Sequence, residues 1–423
     1  MKKIQIFFSL LIDKTGRNEL NFKFRNLFWP ILFQMATVYR KYFLKKVKII
    51  VVVGSLGKTT TTTAIKYLLG LKVNNKFESN AFGSVALQLC KIKRTTKYMV
   101  IEVGIARKGD MANYAKMIRP DAVVLTAIAS EHVSSFGSIE EIRNEKLKIL
   151  QGPVAPQVVF LNGDDPNVIK MTESINISKM TFGMNSSNQY RCLSYTLKWP
   201  DGYHVVVKSK NINESFQVHL YGEQMINCFL AALAVAEYYG VIIPEIRERT
   251  LNIQPVNGRM QVVRLPNKAI LIRDEFKSSL ETIPAALHFL NQVPAKRKIV
   301  ILGTVSYLTG SARKVYQELG TMIGKVANEM FVISMPDYEQ AITAATKRAG
   351  LTAGHIHKTK DDWTKIPDIL DQLLLEGDVI LVKGKHEQRL ERLSLAIQGE
   401  KVRCTIKNCD LKYIYCKDCS RLK

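Results

Sequence analysis

The chain has 423 residues, 47% of them hydrophobic, and its 61 lysines and arginines outnumber its 37 acidic residues to give a formal net charge of +24. This length is too great for one ordinary core and predicts two or three domains, and the composition is that of a globular protein. The charge favours an anionic partner: a nucleotide, an acidic substrate, an anionic lipid or nucleic acid. Because no run of five like charges forms a tail, the pattern disfavours nucleic acid.

Residues 1–46 form a basic and apolar N-terminal segment that is expected to be largely helical. Its first apolar run, 4–12, imitates a signal peptide, but Asp13 follows where a cleavage site of small residues would stand. A second apolar run, 27–39, is shorter than the roughly 20 residues that span a bilayer. Since Lys45, Lys46 and Lys48 follow, this run is expected either to lie on an anionic membrane surface or to pack as a helix on the next domain.

A predicted strand, 47–53, and a predicted helix, 60–69, are joined by a glycine turn that ends in Lys58 and Thr59. Two glycines let backbone N–H groups close around an oxyanion, and the helix adds the positive end of its dipole. The lysine can reach the terminal phosphates of a nucleotide, and the threonine can ligate Mg²⁺. The turn is shorter than the usual G-x-x-x-x-G-K-[ST] loop, but it predicts an ATP site made of Gly54, Ser55, Gly57, Lys58, Thr59 and Thr60.

Strands and helices then alternate, as in a parallel sheet with helices on both faces. The predicted strands are 98–103, 121–126 and 158–161, and the predicted helices are 110–118 and 139–150. From 181 to 220 alternating polar and apolar residues indicate an antiparallel excursion. Helices are expected after it, at 222–240 and 244–252.

A second α/β unit begins near residue 256. Its predicted strands are 269–272, 298–303, 331–333 and 378–382, with a helix at 280–291 after the first of them. The fold class is therefore α/β: a P-loop central domain with a parallel sheet over 47–255 and a Rossmann-like C-terminal domain over 256–400. A cysteine-rich tail, 401–423, completes the chain.

Three side chains in the central domain are candidates for the phosphate and metal chemistry. Glu102 ends the second predicted strand, and the carboxyl ends of parallel strands face the ligand crevice, so it is expected near the phosphates as a Mg²⁺ ligand. An edge carboxylate is the alternative. His132 follows the third strand and is either a metal ligand or a structural histidine. Lys146 lies on a helix that Ser138 opens with Glu141 as its capping partner, and by itself it indicates only a surface charge.

Cysteine spacing sets the tail apart from the rest of the chain. The three cysteines at 90, 192 and 228 are isolated, which argues against a disulfide framework and favours a reducing cytoplasm. The tail holds one C-x4-C pair and one C-x2-C pair, a compact set that predicts either one zinc ion on four thiolates or ordinary reduced cysteines. These residues are Cys404, Cys409, Cys416 and Cys419.

In order and spacing, several of these segments resemble the Mur ligase family. The resemblance runs from about Lys48 to about Gln398. It is carried by the glycine turn 54–60 and by 101–104, 119–126, 131–132, 145–147, 161–165, 257–259, 272–274, 302–303 and 377–384. The combination is specific although each motif alone is common.

This resemblance implies an ATP-dependent ligase that joins a carboxylate to an amine. ATP would phosphorylate the carboxylate to an acyl phosphate, and the amine would then attack it to give an amide, ADP and phosphate. The implied partners are a carboxylate-bearing cell-wall peptide precursor and D-alanyl-D-alanine or a similar amine or dipeptide. The expected location is the cytoplasm, with membrane contact through 1–46 left open.

The resemblance also assigns roles to single residues. Lys58 would neutralise the transferring phosphoryl group. Thr59 and Glu102 would hold one Mg²⁺, and His132 with a carbamylated Lys146 would hold a second. Asn80 would lie on the substrate and phosphate side, and the nucleotide contacts would come from Asn227, Arg259 and Asp274.

Departures from the family pattern bear on the substrate. Fewer than 50 residues precede the phosphate-loop strand, so the family's usual N-terminal domain for the UDP-sugar is expected to be missing. After Asp274 the chain reads Glu-Phe-Lys-Ser-Ser-Leu where close relatives read Ser-Tyr-Asn-Ala-Asn-Pro, and Thr304 stands where an acidic residue is usual. A different acidic or lipid-linked substrate is therefore an alternative. A non-enzymatic ATP-binding scaffold with a zinc tail, binding nucleic acid or a partner, is another.

Overall fold

The computed structural model describes residues 28–74, 78–131, 133–306, 308, 310–333, 338–359, 362–406, 409, 411 and 414–422. Most of the predicted N-terminal segment, 1–27, lies outside them. The described chain divides into two compact units that meet in sequence between Gln254 and Pro255.

The first unit is built on one mixed sheet. Its strands are β1 (Lys48–Val53), β2 (Tyr98–Glu102), β3 (Ala122–Leu125), β4 (Val158–Asn162), β5 (Ser178–Gly183), β6 (Tyr190–Leu197), β7 (Tyr203–Lys208) and β8 (Asn213–Val218). They lie in the order β2-β1-β3-β4-β5-β6-β7-β8. The strands from β2 to β6 pair in parallel, and β6, β7 and β8 form an antiparallel meander. The predicted parallel sheet with an antiparallel excursion is thus confirmed.

Most of the helices of this unit lie where the sequence predicts them. They are α1 (Trp29–Phe43), α2 (Lys58–Leu68), α3 (Phe82–Cys90), α4 (Asp110–Ile118), α5 (Val133–Phe136), α6 (Ile139–Leu147), α7 (Pro166–Thr172), α8 (Gln224–Tyr238) and α9 (Ile243–Leu251), with a 3₁₀ turn at Lys148–Leu150. Strand β1 is a run of β-branched residues that is buried on both faces, as expected of a central parallel strand.

Four elements of this unit have no counterpart in the sequence prediction: α3, α5, α7 and β5. Helix α3 contains a glycine, a serine and a β-branched valine, which are weak helix formers. It forms because Val85 and Leu89 bury their side chains in the core that α1 also enters. Strand β5 continues the parallel sheet into the region where the antiparallel excursion was expected to begin.

Helix α1 is packed on this unit, which is one of the two alternatives that the sequence left open. Phe33 and Ala36 are buried in the core, and the Arg40 guanidinium is 8% exposed. That guanidinium lies 2.8 Å from an Asp121 carboxylate oxygen and donates to the carbonyls of Ile118 and Leu44. Within the described ranges, no helix combines the length and the apolar character needed to cross a bilayer.

The second unit is a separate α/β fold. Its strands are β9 (Gln261–Arg264), β10 (Ile270–Asp274), β11 (Lys298–Leu302), β12 (Glu329–Val332), β13 (Ile356–Lys358) and β14 (Val379–Lys383), in the order β13-β12-β11-β14-β10-β9. All pair in parallel except the edge strand β9. Its helices are α10 (Thr282–Gln292), α11 (Ala312–Val326), α12 (Glu339–Arg348), α13 (Ile366–Leu373) and α14 (Glu391–Ile397), with 3₁₀ turns at Ala353–His355, His386–Gln388 and Cys416–Asp418.

The described part of the tail packs on this second unit. Leu395 of α14 shares a small buried cluster with Cys416 and Leu422. The backbone N–H of Arg403 donates to the carbonyl of Leu422 at 2.7 Å, so the two ends of the tail meet.

Candidate active site

The glycine turn lies against the carboxyl end of β3. A Cβ on Gly54 would stand 2.0 Å from the Thr126 hydroxyl oxygen, so only glycine fits there. That hydroxyl donates to the Leu56 carbonyl at 2.6 Å, and the Ser55 N–H donates to the Ala127 carbonyl at 2.5 Å. Gly57 has φ +79°, a conformation that favours glycine. These contacts hold the turn in one shape.

Helix α2 begins immediately after the turn. The first turn of a helix leaves N–H groups without intrahelical partners and carries the positive end of the dipole. Thr59 lies in this first turn, and the side chain of Thr60 is buried behind it. The Lys58 ammonium donates to the Ser55 carbonyl at 3.0 Å, across the turn that it follows. This is an arrangement that binds an anion.

Lys146 reaches the same turn from another helix. Its side chain is 2% exposed, and its ammonium lies 2.6 Å from the Gly54 carbonyl. The Ser138 hydroxyl accepts from the Glu141 N–H at the start of α6, which confirms the predicted cap. Tertiary structure thus turns what the sequence alone marks as a surface charge into a buried cation at the phosphate turn.

The neighbouring carboxylate Glu145 fixes this helix on the start of α4. It accepts from the backbone N–H groups of Gly109 and Met111 at 2.9 and 3.0 Å and pairs with Lys148 at 2.7 Å. Burial by itself would raise the pKa of Glu145, but the hydrogen bonds from Lys148 and the two N–H groups outweigh it and lower the pKa. The carboxylate therefore stays charged beside Lys146.

Glu102 and Asn80 form a pair at the end of β2. Glu102 is in register with Val52 of β1, two residues before the glycine turn. The Asn80 amide donates to a Glu102 carboxylate oxygen at 3.1 Å, and the Asn80 carbonyl accepts from the Tyr114 hydroxyl at 2.5 Å. Burial, then the charges of nearby carboxylates, raise the pKa of Tyr114, so it remains a neutral donor.

Asn227 lies on α8, which packs along α2. Its amide nitrogen donates to Asp164 at 3.2 Å. Asp164 also accepts from the backbone N–H groups of Met184 and Asn185 and from Asn188, so it organises the loop after β5. The amide oxygen of Asn227 is buried and has no hydrogen-bond partner within the described part of the chain. That orphaned acceptor suits a donor group of a bound molecule.

In the second unit, the Asp274 carboxylate is hydrogen-bonded to other residues of the protein. The Lys383 ammonium lies 2.6 Å from one of its carboxylate oxygens, and the Met260 N–H donates to the other at 3.2 Å. Burial raises the pKa of Asp274 and lowers that of Lys383, and the contact between them opposes both shifts. Arg259 lies 4.4 Å from the centroid of the Phe276 ring, and its buried Nε has no partner in the described structure. The nucleotide roles of Asp274 and Arg259 stay predictions.

The structure describes only some of the predicted metal ligands. His132 lies outside the described residues. Within the described ranges, no three side chains of histidine, cysteine, aspartate or glutamate are grouped closely enough to hold a metal ion. The Mg²⁺ roles of Thr59, Glu102 and Lys146 therefore stay predictions, and zinc on the four tail cysteines is not shown.

Some residues at these sites received no role from the sequence. Thr126 and Asp164 both fall in segments that carry the family resemblance, at the ends of β3 and β4, and that position was the available signal. Lys383 also falls in such a segment, 377–384, at the end of β14. Tyr114 offered no signal, because a tyrosine on a helix is an ordinary residue until folding places it beside Asn80.

The glycine turn, the helix that follows it and the sheet order define a P-loop nucleotide-binding protein of the α/β class. Two family models match the chain: the Mur ligase middle domain over residues 52–236 and the Mur ligase, glutamate ligase domain over residues 258–386. The chain belongs to the Mur ligase family. Mur ligases are ATP-dependent enzymes of the acid–amino acid ligase type and in general use Mg²⁺.

Named relatives agree with this assignment. The chain is 26% identical over 358 residues to the UDP-N-acetylmuramoyl-tripeptide–D-alanyl-D-alanine ligase of Bacillus subtilis, covering 82% of this chain and 75% of that protein. It is 24% identical over 357 residues to the Escherichia coli protein of the same name, covering 83% and 77%.

Solved structures share the fold. The MurF ligase from Thermotoga maritima in complex with ADP gives a TM-score of 0.74 at 21% identity, covering 88% of this chain and 84% of that one. A MurF structure from Acinetobacter baumannii gives a TM-score of 0.76 at 18% identity, covering 88% and 81%.

Proposed function

We propose that this ligase joins D-alanyl-D-alanine, or a similar amine, to a carboxylate of a cell-wall peptide precursor through an acyl phosphate, in the cytoplasm. The observation that carries the proposal is the buried Lys146 ammonium, 2.6 Å from the carbonyl of Gly54 in the phosphate turn. A purely nucleotide-binding scaffold has no use for a second lysine, buried at that turn in addition to Lys58. The named relatives supply the substrate class.

The residues fit ATP and Mg²⁺. The packing of Gly54 against Thr126 holds the turn in one shape, and the first turn of α2 presents N–H groups to an anion. Thr59 and Glu102 carry the oxygen ligands that Mg²⁺ prefers. Mg²⁺ would supply charge neutralisation at the transferring phosphoryl group. Lys58 would add its ammonium to the same charge, after exchanging the Ser55 carbonyl for a phosphate oxygen.

Lys146 would act in a carbamylated form. Its neutral amine would attack CO₂ to form an N–C bond and release one proton, which replaces a cation by a carboxylate-like oxygen ligand. His132 would be the companion ligand at a second Mg²⁺. Asn80, held by Glu102 and Tyr114, would orient the acyl phosphate, and Asn227 with its orphaned amide oxygen would contact the nucleotide.

The test is ADP release by the purified protein with Mg²⁺ and UDP-N-acetylmuramoyl-tripeptide, with and without D-alanyl-D-alanine. Release that needs both substrates, and is lost in Lys58→Ala, supports the proposal. Bicarbonate depletion should lower the rate, and Lys146→Met should abolish that dependence. A protein that binds ATP but releases no ADP with this pair would contradict the assigned substrates. Assays with other acidic or lipid-linked acceptors would then identify the alternative ligase.

We also infer that α1 contacts an anionic membrane surface. Its outer face carries five apolar side chains at three- and four-residue spacing, each between 46 and 58% exposed: Phe28, Ile31, Met35, Val38 and Tyr42. Exposed lysines at 41, 45 and 46 follow at the same end of the helix. An apolar stripe bordered by cations fits the headgroup region of an anionic bilayer.

Vesicle flotation distinguishes this contact from other uses of the face. The protein should float with phosphatidylcholine vesicles that contain phosphatidylglycerol and much less with phosphatidylcholine alone. Ile31→Asp with Met35→Asp should abolish flotation. Val154→Asp, at another apolar side chain that is 51% exposed, should leave it unchanged. Self-association that the α1 substitutions abolish, without any vesicle binding, would assign the face to a second copy.

A further inference from the structure

The tail cysteines share one cavity in the second unit. Cys404, Cys409, Cys416 and Cys419 all line it, together with apolar side chains that include Leu411 and Leu422. Leu411 and Leu422 are buried, so this part of the cavity wall is well packed. Four thiols from two separate chain segments thus face the same small space.

The backbone brings the two cysteine pairs together. The C-x2-C pair spans a 3₁₀ turn in which the Cys419 N–H donates to the Cys416 carbonyl at 3.0 Å. The Cys416 N–H in turn donates to a Glu391 carboxylate oxygen at 2.6 Å, which anchors this turn on α14. The contact between Arg403 and Leu422 places the C-x4-C segment beside it.

Two buried guanidinium groups border the cavity. Arg389 is 3% exposed and Arg392 is 2% exposed, and both line it. Neither forms an ion pair with a described carboxylate. Arg392 donates to the carbonyls of Cys404 and Ile406 and to the Cys404 sulfur, at 3.3, 2.7 and 3.5 Å. The Nε of Arg389 has no hydrogen-bond partner among the residues described.

Buried cations without a counterion are costly, so an anionic group is expected in or beside the cavity. Four thiolates around one Zn²⁺ carry a net charge of 2−, which offsets the two buried guanidinium groups. The third arginine of the lining, Arg421, is exposed to solvent. Zinc accepts four cysteine sulfurs in a tetrahedral structural site, and it displaces one proton from each thiol without any redox step. An unbound set of neutral thiols would leave both arginines with carbonyl acceptors but with no paired carboxylate among the described residues.

We propose that Cys404, Cys409, Cys416 and Cys419 bind one structural zinc ion, and that Arg389 and Arg392 stabilise its negative charge. The thiols line the cavity but are not yet gathered at ligand distance in the described structure, so binding draws the sulfurs inward from its wall. The ion fixes the tail on α14.

A zinc ion at this site would also affect a neighbouring cavity of the second unit. Tyr415, directly before Cys416, lines a second cavity with Phe276 and His386, and its ring centroid lies 6.1 Å from that of Phe276. Arg389 lines both cavities. The zinc ion therefore holds one wall of the cavity formed by the residues that follow Asp274.

The experiment measures metal in the full-length protein, purified under reducing conditions without chelators. About one zinc per chain is expected by elemental analysis. Cys416→Ser with Cys419→Ser should lose it, whereas Cys90→Ser, at a half-buried cysteine of the first unit, should retain it. Arg392→Met should keep all four ligands but weaken zinc retention against a competing chelator by about tenfold or more.

Cobalt replacement keeps the test independent of whether a cysteine variant folds. Wild-type protein stripped of zinc and loaded with Co²⁺ should show the visible absorption of a tetrahedral thiolate site. A folded, reduced wild-type protein with no zinc, no such cobalt spectrum and four tail thiols that react freely would overturn the proposal. A disulfide between tail cysteines under the same conditions would overturn it as well.

Discussion

The two units place charge beside strand ends in opposite ways. In the first unit, the ammonium groups of Lys58 and Lys146 each donate to a backbone carbonyl of the glycine turn, at 3.0 and 2.6 Å. In the second, Lys383 meets a buried carboxylate, Asp274, at 2.6 Å. A cation on a neutral carbonyl can exchange that partner for a phosphate oxygen, whereas a cation in a buried ion pair serves the fold. A lysine at a strand end can thus serve ligand binding in the first unit and stability in the second.

The largest expected effect concerns the lysine that lies beside the glycine turn of the first unit. Lys58→Ala should lower the rate of ADP formation by about 10³- to 10⁴-fold, because the ammonium neutralises charge that develops on the phosphoryl group. Steady-state kinetics with saturating ATP measure it. Lys66→Ala, on the same helix and paired with Glu78, is the matched control and should change the rate less than about twofold. Equal effects of the two substitutions would break the comparison.

Breaking the buried ion pair of the second unit should lower the stability of the protein. Lys383→Met leaves the Asp274 carboxylate buried and unpaired, so it should cost about 3–5 kcal/mol of unfolding free energy. Denaturant titration of the variants measures it. Adding Asp274→Asn to Lys383→Met should recover part of the loss because the unpaired charge is then gone. A double variant as unstable as the sum of the two single variants would show that the two side chains act independently.

A third prediction concerns the close approach at the glycine turn. Gly54→Ala should destabilise the first unit by about 1–3 kcal/mol, because its Cβ would overlap the Thr126 hydroxyl. Thermal unfolding measures the loss, and adding Thr126→Ala should reduce it. Gly354→Ala, where a Cβ meets nothing within 4 Å, is the control and should be close to neutral. An unchanged melting temperature in Gly54→Ala would show that the turn is loose.

The smallest expected effect is on pH dependence. The folded protein lowers the pKa of Glu145 below its ordinary value of 4.5, so this carboxylate stabilises the fold above that pH and the contribution is lost as the pH falls through the lowered value. Glu145→Gln should therefore cost about 1–2 kcal/mol at pH 7 and less in acid. Denaturant titrations at pH 7 and in acid compare the variants. A cost that stays constant with pH would contradict the carboxylate's role.

Local patterns in the sequence determined the α/β class, the positions of most strands along the chain and the phosphate turn. Each depends on neighbouring residues: β-branched runs make buried strands, and a glycine turn before a helix binds anions. The predicted bounds of α4, 110–118, agree with the structure because a glycine precedes that helix and Arg119, with φ +46°, ends it. The cap of α6, formed by Ser138 and Glu141, was predicted from neighbouring residues in the same way.

Tertiary structure alone decided the chemistry of single charges. Apart from the family resemblance, nothing local distinguishes Lys146, Lys383 and Lys66. The fold makes them respectively a buried cation at the phosphate turn, half of a buried ion pair and a member of a surface pair. It also formed α3, whose residues are weak helix formers, by packing it against α1. Burial and partners change the free energy of a charge by several kcal/mol, and both come from residues that are distant in the chain.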